Sequence, residues 1–264
     1  MKRPTRIFTR RNALVFFGAA AASFGLGYAL RRFGGGDYAD VDWQRAFERK
    51  TVGGIARIKS LVGEGLAGMR ELMLGGGLNS GERIRVARDS LLILSLPDRS
   101  VLQIRGEAEL DLHFDEFSGG VYNLYVGAVL SVVPRSNLYI ATGPTGAVGI
   151  KGTVFFREVF GETGREVQTM EGKMTMPADV DDYFCTCHGE VDYLGQLEQG
   201  RVVRTDRAQH HSPFFLRNGD GLTFEEAPML NHFDDEIDRL IDVMDPPRHD
   251  KSWLDLAAAS RPRG

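Results

Sequence analysis

Two thiols and a set of imidazoles are the residues of this chain best suited to chemistry. Cys185-Thr186-Cys187-His188 is followed roughly twenty residues later by His210-His211, and by His232 after a similar interval. If residues 183–193 form a strand, Tyr183, Cys185, Cys187, Gly189 and Val191 share one face, and Phe184, Thr186, His188 and Glu190 the other. Both thiols then point the same way, with α-carbons about 6.6 Å apart, near the upper limit for a disulfide. Two such thiolates can instead lean onto one ion: zinc, copper or iron. His188 faces away from them. Neighbours in an extended segment face opposite sides, so at most one of His210 and His211 joins a shared site. The candidate metal ligands are therefore Cys185, Cys187, His210, His211 and His232, as two cysteines with one histidine from each of two segments. Cys-x-Cys-His is one residue short of the spacing that attaches c-type haem. Three readings stay open: a metal site, a redox pair cycling between dithiol and disulfide, and a reduced thiol pair with surface histidines.

The elements that must position these residues are mainly strands. Leu110, Leu112 and Phe114 alternate with Glu109, Asp111 and His113, which places His113 on an exposed polar face. Val148, Ile150, Gly152, Val154 and Phe156 repeat the pattern as one strand. Turn residues recur at Leu96-Pro97-Asp98-Arg99, Ser118-Gly119-Gly120, Thr142-Gly143-Pro144-Thr145-Gly146, Gly161-Glu162-Thr163-Gly164 and Asn218-Gly219-Asp220-Gly221. Strands at this spacing predict a mainly β fold, an antiparallel sandwich or rolled sheet. Asn231-His232-Phe233-Asp234 starts a short C-terminal helix with an apolar stripe of Phe233, Ile237, Leu240, Ile241 and Met244, stopped by Pro246-Pro247. Asp234, Asp235, Glu236 and Asp238 complement the positive end of that helix or form its solvated face. Upstream, steps of three and four from Ile55 through Ile58, Leu61, Val62, Leu66, Met69, Leu72 and Met73 predict an amphipathic linker helix, ended by Gly75-Gly76-Gly77.

Lys2, Arg3, Arg6, Arg10 and Arg11 precede an uncharged run of 18 residues, Ala13 to Leu30, closed by Arg31 and Arg32. That is the length and flanking charge of a short inner-membrane span with its bulk exported to the periplasm. Thr9-Arg10-Arg11-Asn12-Ala13-Leu14 also looks like a twin-arginine export signal, which would be cleaved. With 32 basic and 36 acidic residues and no basic stripe beyond the N-terminus, nucleic acid is not an expected partner. No Gly-x-Ser-x-Gly, Walker loop or His-Glu-x-x-His is present, so a non-enzymatic role is expected. The expected organisation is an anchor or signal at 1–33, a helical linker at 38–77, a β domain at 78–177 and a Cys/His extension with terminal helix at 178–264.

Within 78–177, Pro97-Asp98-Arg99-Ser100, Gly127-Ala128-Val129-Leu130-Ser131-Val132, Ile140-Ala141-Thr142-Gly143-Pro144, Ile150-Lys151-Gly152-Thr153-Val154-Phe155 and Met170-Glu171-Gly172-Lys173-Met174 occur in order. This series resembles the ligand-sensing β domain of the FecR (iron-dicitrate transport regulator) family, with Arg99 where glycine is usual. The C-terminal Cys-x-Cys, His-His and Asn-His-Phe-Asp segments are similar to a subgroup of that family. The resemblance implies signal transduction, through a periplasmic sensor, scaffold or binding module with a periplasmic or membrane protein as partner. About a dozen residues precede the apolar run, too few for a folded sigma-factor-binding module. A periplasmic thiol-redox protein using Cys185 and Cys187 is the alternative.

Overall fold

The computed structural model describes residues 54–244, apart from 116–118, 135–137, 162–165, 170–171, 178–179, 181, 196–201 and 219. The expected anchor or signal and the first part of the linker lie outside these residues. Among them the chain is mainly β, with one short helix. The strands are β1 (Gly54–Val62), β2 (Gly65–Ala67), β3 (Arg70–Glu71), β4 (Gly77–Asn79), β5 (Glu82–Val86), β6 (Leu91–Ser95), β7 (Val101–Asp115), β8 (Gly119–Val132) and β9 (Leu138–Gly143). They continue as β10 (Gly146–Lys151), β11 (Val154–Val159), β12 (Glu166–Thr169), β13 (Gly172–Thr175), β14 (Asp182–Gly195), β15 (Val202–Ala208), β16 (Ser212–Asn218) and β17 (Leu222–Glu226), before helix α1 (Asp234–Val243). Fifteen strands share one sheet, and β12 and β13 form a separate hairpin. Pairing is antiparallel except between β8 and β9. No helix among the described residues is long and apolar enough to cross a membrane.

The helical linker expected over 55–73 is corrected: this segment is β1 followed by the short β2–β3 pair. Ala56 and Ile58 are buried while Arg57 is exposed, a period of two, and Met69 from the supposed stripe is 99 % exposed. Gly63, Gly65 and Gly68 each disfavour a helix by about 1 kcal/mol, and β1 gains pairing with both β4 and β6. The β region therefore starts at Gly54, well before the expected boundary at 78.

The sheet rolls because its long strands bend and change partners midway. The first half of β14 pairs with β11 and β16, and its second half with β10 and β15. The break falls at Gly189, whose φ is +110°; a Cβ there would lie 3.0 Å from Thr153 Oγ1 and 3.1 Å from the Gly152 carbonyl oxygen. Across this bend the inward face changes parity. Tyr183, Cys185 and Cys187 enter one core, whereas Phe184, Val191 and Tyr193 enter the other. The rings of Phe184 and Tyr193 then meet at 5.5 Å, which a straight strand forbids. The single face expected for 183–191 is thus corrected, although its first three members hold. Opposite, the single strand expected across 148–156 is broken at Gly152-Thr153 into β10 and β11. Strands that switch partners at bulges are how a sheet turns a corner.

Two cores result. One is enclosed by the roll, from Ala56 and Ile58 through Leu110, Leu112, Phe155 and Tyr193. The other lies on the opposite face, where α1 and the β12–β13 hairpin cover Phe156, Tyr183, Cys185 and Cys187. Arg157 and Asp182 form a fully buried ion pair, Nη2 to Oδ2 2.5 Å and Nε to Oδ1 3.1 Å. Arg157 Nη1 also donates to the Ala141 carbonyl at 2.7 Å, and Thr145 Oγ1 donates to Asp182 at 2.5 Å. The pair so ties the β9–β10 hairpin to β11 and to the start of β14. His113 is half-buried, not exposed, against the Gly81 turn.

Candidate functional site

The Cys/His cluster is assembled on the second core from three segments. Cys185 and Cys187 stand on the first half of β14, with Cys185 opposite Phe156 of β11 and Pro213 of β16. Their Sγ atoms are 4.0 Å apart, both side chains are buried, and both thiols are reduced. His211 occupies the turn between β15 and β16 at φ +33°, and its backbone N–H donates to the Cys187 carbonyl at 3.1 Å. That turn aims Nδ1 at Cys185 Sγ, 3.6 Å away, and Nε2 at Asp234 Oδ1, 2.9 Å away. His232 arrives on the segment leading into α1. Its ring stacks on Phe156 with centroids 4.4 Å apart and lies 5.1 Å from the His211 ring.

The segment carrying His232 is itself held in place. Tyr183 Oη accepts the Leu230 N–H at 3.1 Å and donates to the Pro228 carbonyl at 3.3 Å. His232 Nδ1 donates to the Leu230 carbonyl at 2.5 Å. Its other nitrogen, Nε2, is buried without a hydrogen-bond partner among the described residues, and in the neutral ring it carries the free lone pair. One ligand atom from each of Cys185, Cys187, His211 and His232 lies within 4.8 Å of every other. A tetrahedral zinc with two sulfur and two nitrogen ligands needs separations of roughly 3.3–3.8 Å. Small side-chain shifts close that gap. Orphaned Nε2, two adjacent thiols and an imidazole already held by a carboxylate are the donor set a thiophilic ion requires.

Electrostatics follow from the same geometry. Burial raises the Cys185 thiol, but hydrogen bonding with Cys187 and His211 outweighs it, with His232 acting in the same direction, and holds the thiol well below its ordinary range. Burial, joined by the neighbouring Cys185 thiolate, pushes Cys187 well above that range. Burial opposes the charge on His211, yet Cys185 and Asp234 on either side raise its pKa. Desolvation of the Asp234 carboxyl is overcome by His211 and His210, which lower its pKa. Cys185, His211 and Asp234 thus stand in line, each favouring the charged form of its neighbour.

Four of the five residues singled out in the sequence converge here. His210 does not: it is exposed, and its Nε2 sits 3.2 Å from Asp234 Oδ2. His188 also stays out, with Nδ1 donating to the Gln209 carbonyl at 3.2 Å. Asp234 was visible in the sequence only as helix-end charge; its place two residues after His232 was the available signal. Phe233, expected on the apolar stripe of α1, is instead 38 % exposed.

No family model matches the chain, and no curated protein is similar to it. Two crystal structures of a candidate anti-sigma factor from Parabacteroides distasonis are similar to it in part. Their TM-scores are 0.37 and 0.36, at 14 % and 13 % sequence identity, and each covers 55 % of this chain. The chain spans 59 % of the length of each of those structures.

Proposed function

We propose that this chain is a membrane-tethered, non-enzymatic sensing or scaffold module of the periplasm that holds one divalent ion at Cys185, Cys187, His211 and His232. What supports the metal reading is the convergence of four ligand atoms from three segments in a largely buried site walled by Phe156. Two thiolates balance Zn²⁺ or Fe²⁺ and leave a neutral centre, whereas Cu(I) leaves a buried negative charge. Zinc fits best, because protein atoms fill all four tetrahedral positions and none is left open for a substrate. Asp234 on His211 and the Leu230 carbonyl on His232 act as outer partners that fix each ring. The tether rests on the apolar run Ala13 to Leu30 between basic groups, and the sensing role on the FecR-like motif series. Elemental analysis of the purified full chain tests the metal: one zinc per chain is expected, lost in Cys185→Ala. A low content indifferent to that change ends the reading.

A thiol-redox role is the second reading, favoured by the 4.0 Å Sγ separation and the depressed Cys185 thiol. Intact mass with and without reductant separates the two. A difference of two hydrogens in metal-free protein supports the redox pair.

A further inference from the structure

We infer that occupancy of this centre governs whether α1 stays docked on the sheet; the inference rests on the metal reading above. The centre joins parts of very different rigidity. Cys185 sits within β14, paired with β11 on one side and β16 on the other, and Cys187 follows at the bulge where β14 shifts register against β11. His232 and Asp234 belong to the segment Leu230–Asp234, whose one backbone β-bridge among the described residues is Leu230 with Thr169, the rest of its links to strands being side-chain hydrogen bonds.

Other holds on α1 are few. Leu240 is fully buried in the second core, while Ile237, Ile241, Val243 and Met244 are only partly buried against it. Arg105 of β7 pairs with Glu236 at 2.7 Å and also donates to the Asn231 carbonyl. Asn231, at φ +52°, donates to Glu158 at 2.7 Å. A helix of 10 residues is too short to persist in water undocked. An ion bound by Cys185, Cys187, His211 and His232 cross-links the start of this helix to the sheet at residues 45 positions away in sequence, Cys187 and His232. It also fixes His211, whose Nε2 holds Asp234, the first residue of α1. Metal binding to such a site becomes local folding free energy. The lever acts on α1 and leaves the roll intact, since neither β7 nor β8 contributes a ligand. The metal state is thereby converted into exposure or cover of the apolar surface beneath α1, the readout a sensor needs.

Amide hydrogen exchange on the full chain, loaded with zinc or stripped with chelator, tests this, with bound zinc measured in parallel. Exchange at residues 231–243 should slow at least about tenfold with zinc, while amides of β2 and β5, whose side chains enter the other core, stay unchanged. Stoichiometric zinc without any change at 231–243 overturns the inference and leaves the metal centre standing. Equal slowing across the whole sheet also overturns it, because the ion would then stabilise the fold globally. Absence of bound zinc sinks the centre and the latch together.

Discussion

At the scale of single residues, the adjacent histidines give the sharpest test of the site. His211→Ala removes a ligand atom 3.6 Å from Cys185 Sγ, and His232→Ala removes the orphaned Nε2. Each should lower zinc affinity by about a hundredfold or more, whereas His210→Ala, which removes only an exposed ring beside His211 and Asp234, should cost about tenfold at most. Competition with a chromophoric chelator measures all three. Equal losses for His210 and His211 would mean that the turn is read wrongly. The thiols and His232 were legible as a group from residue type alone, and strand parity left room for one of His210 and His211. Which of the two turns inward depends on the positive φ of His211, and no side-chain pattern reports that. The buried Arg157–Asp182 pair was invisible for a related reason: in sequence, Arg157 stands beside Glu158 and reads as part of an ordinary charged pair closing an apolar run. Asp182→Asn strips the counter-charge from a guanidinium with no exposure and should cost about 3–5 kcal/mol in urea unfolding. Arg157→Leu with Asp182→Leu should recover much of that loss, because the desolvated charges go together.

At the scale of elements, alternation identified strands wherever they were straight. It failed where they bend. Val148 to Phe156 and Tyr183 to Val191 each obey a period of two on paper, yet both are interrupted, at Gly152 and Gly189. The linker misled in the opposite way. Small and apolar residues at steps of three and four imitate a helix stripe, and the pairing of β1 with β4 and β6 overrides it. Gly189→Ala tests the corner directly. Its Cβ would crowd Thr153 and Gly152 at a backbone angle that L-residues avoid, so a loss of about 1–3 kcal/mol is expected. Because Gly189 follows Cys187 by two residues, zinc affinity should fall in the same variant. For α1, Leu240→Ala leaves a void under its one fully buried side chain, costing about 2–5 kcal/mol of docking. Exchange at α1 amides should then quicken while zinc content stays at one per chain. Because the coupling is reciprocal, zinc affinity should fall in step with helix protection, and an affinity unchanged in a variant whose helix is undocked would show that site and helix are independent.

At the scale of the whole molecule, one sheet closes over a single enclosed core, so global unfolding integrates charges scattered along it. Between about pH 6.5 and 5, histidines are the side chains of ordinary pKa that change charge, and two described ones are shifted in opposite senses. Burial lowers the His113 pKa, against the smaller pull of Asp111. An unfolded chain then takes up a proton near pH 6.5 that the folded chain resists, so this residue erodes stability as pH falls through that window. His211 does the reverse in metal-free protein: its raised pKa adds stability below pH 6.5 that is lost as pH rises through the folded value. A bare pH profile therefore mixes two opposing slopes. Subtracting the profile of His113→Gln from that of the parent cancels the His211 contribution, since the two residues lie on separate parts of the sheet. Urea midpoints at pH 7.5 and 5.5 should fall further on acidification in the parent than in His113→Gln. If the two proteins lose stability in parallel, the His113 ring is hydrated and the Gly81 turn does not cover it. Glu109 extends the acid sensitivity to lower pH: its desolvation is overcome by Arg83 and Arg85, which depress its pKa. That contribution is complete above the unfolded carboxylate value and fades as pH drops through the folded one. With these side chains partly in solvent, the pairs of Glu109 with Arg83 and Arg85 add about 1 kcal/mol at most. High salt should therefore flatten the profile below pH 4.5 and leave the His113 difference between pH 6.5 and 5 in place, because burial is not screened.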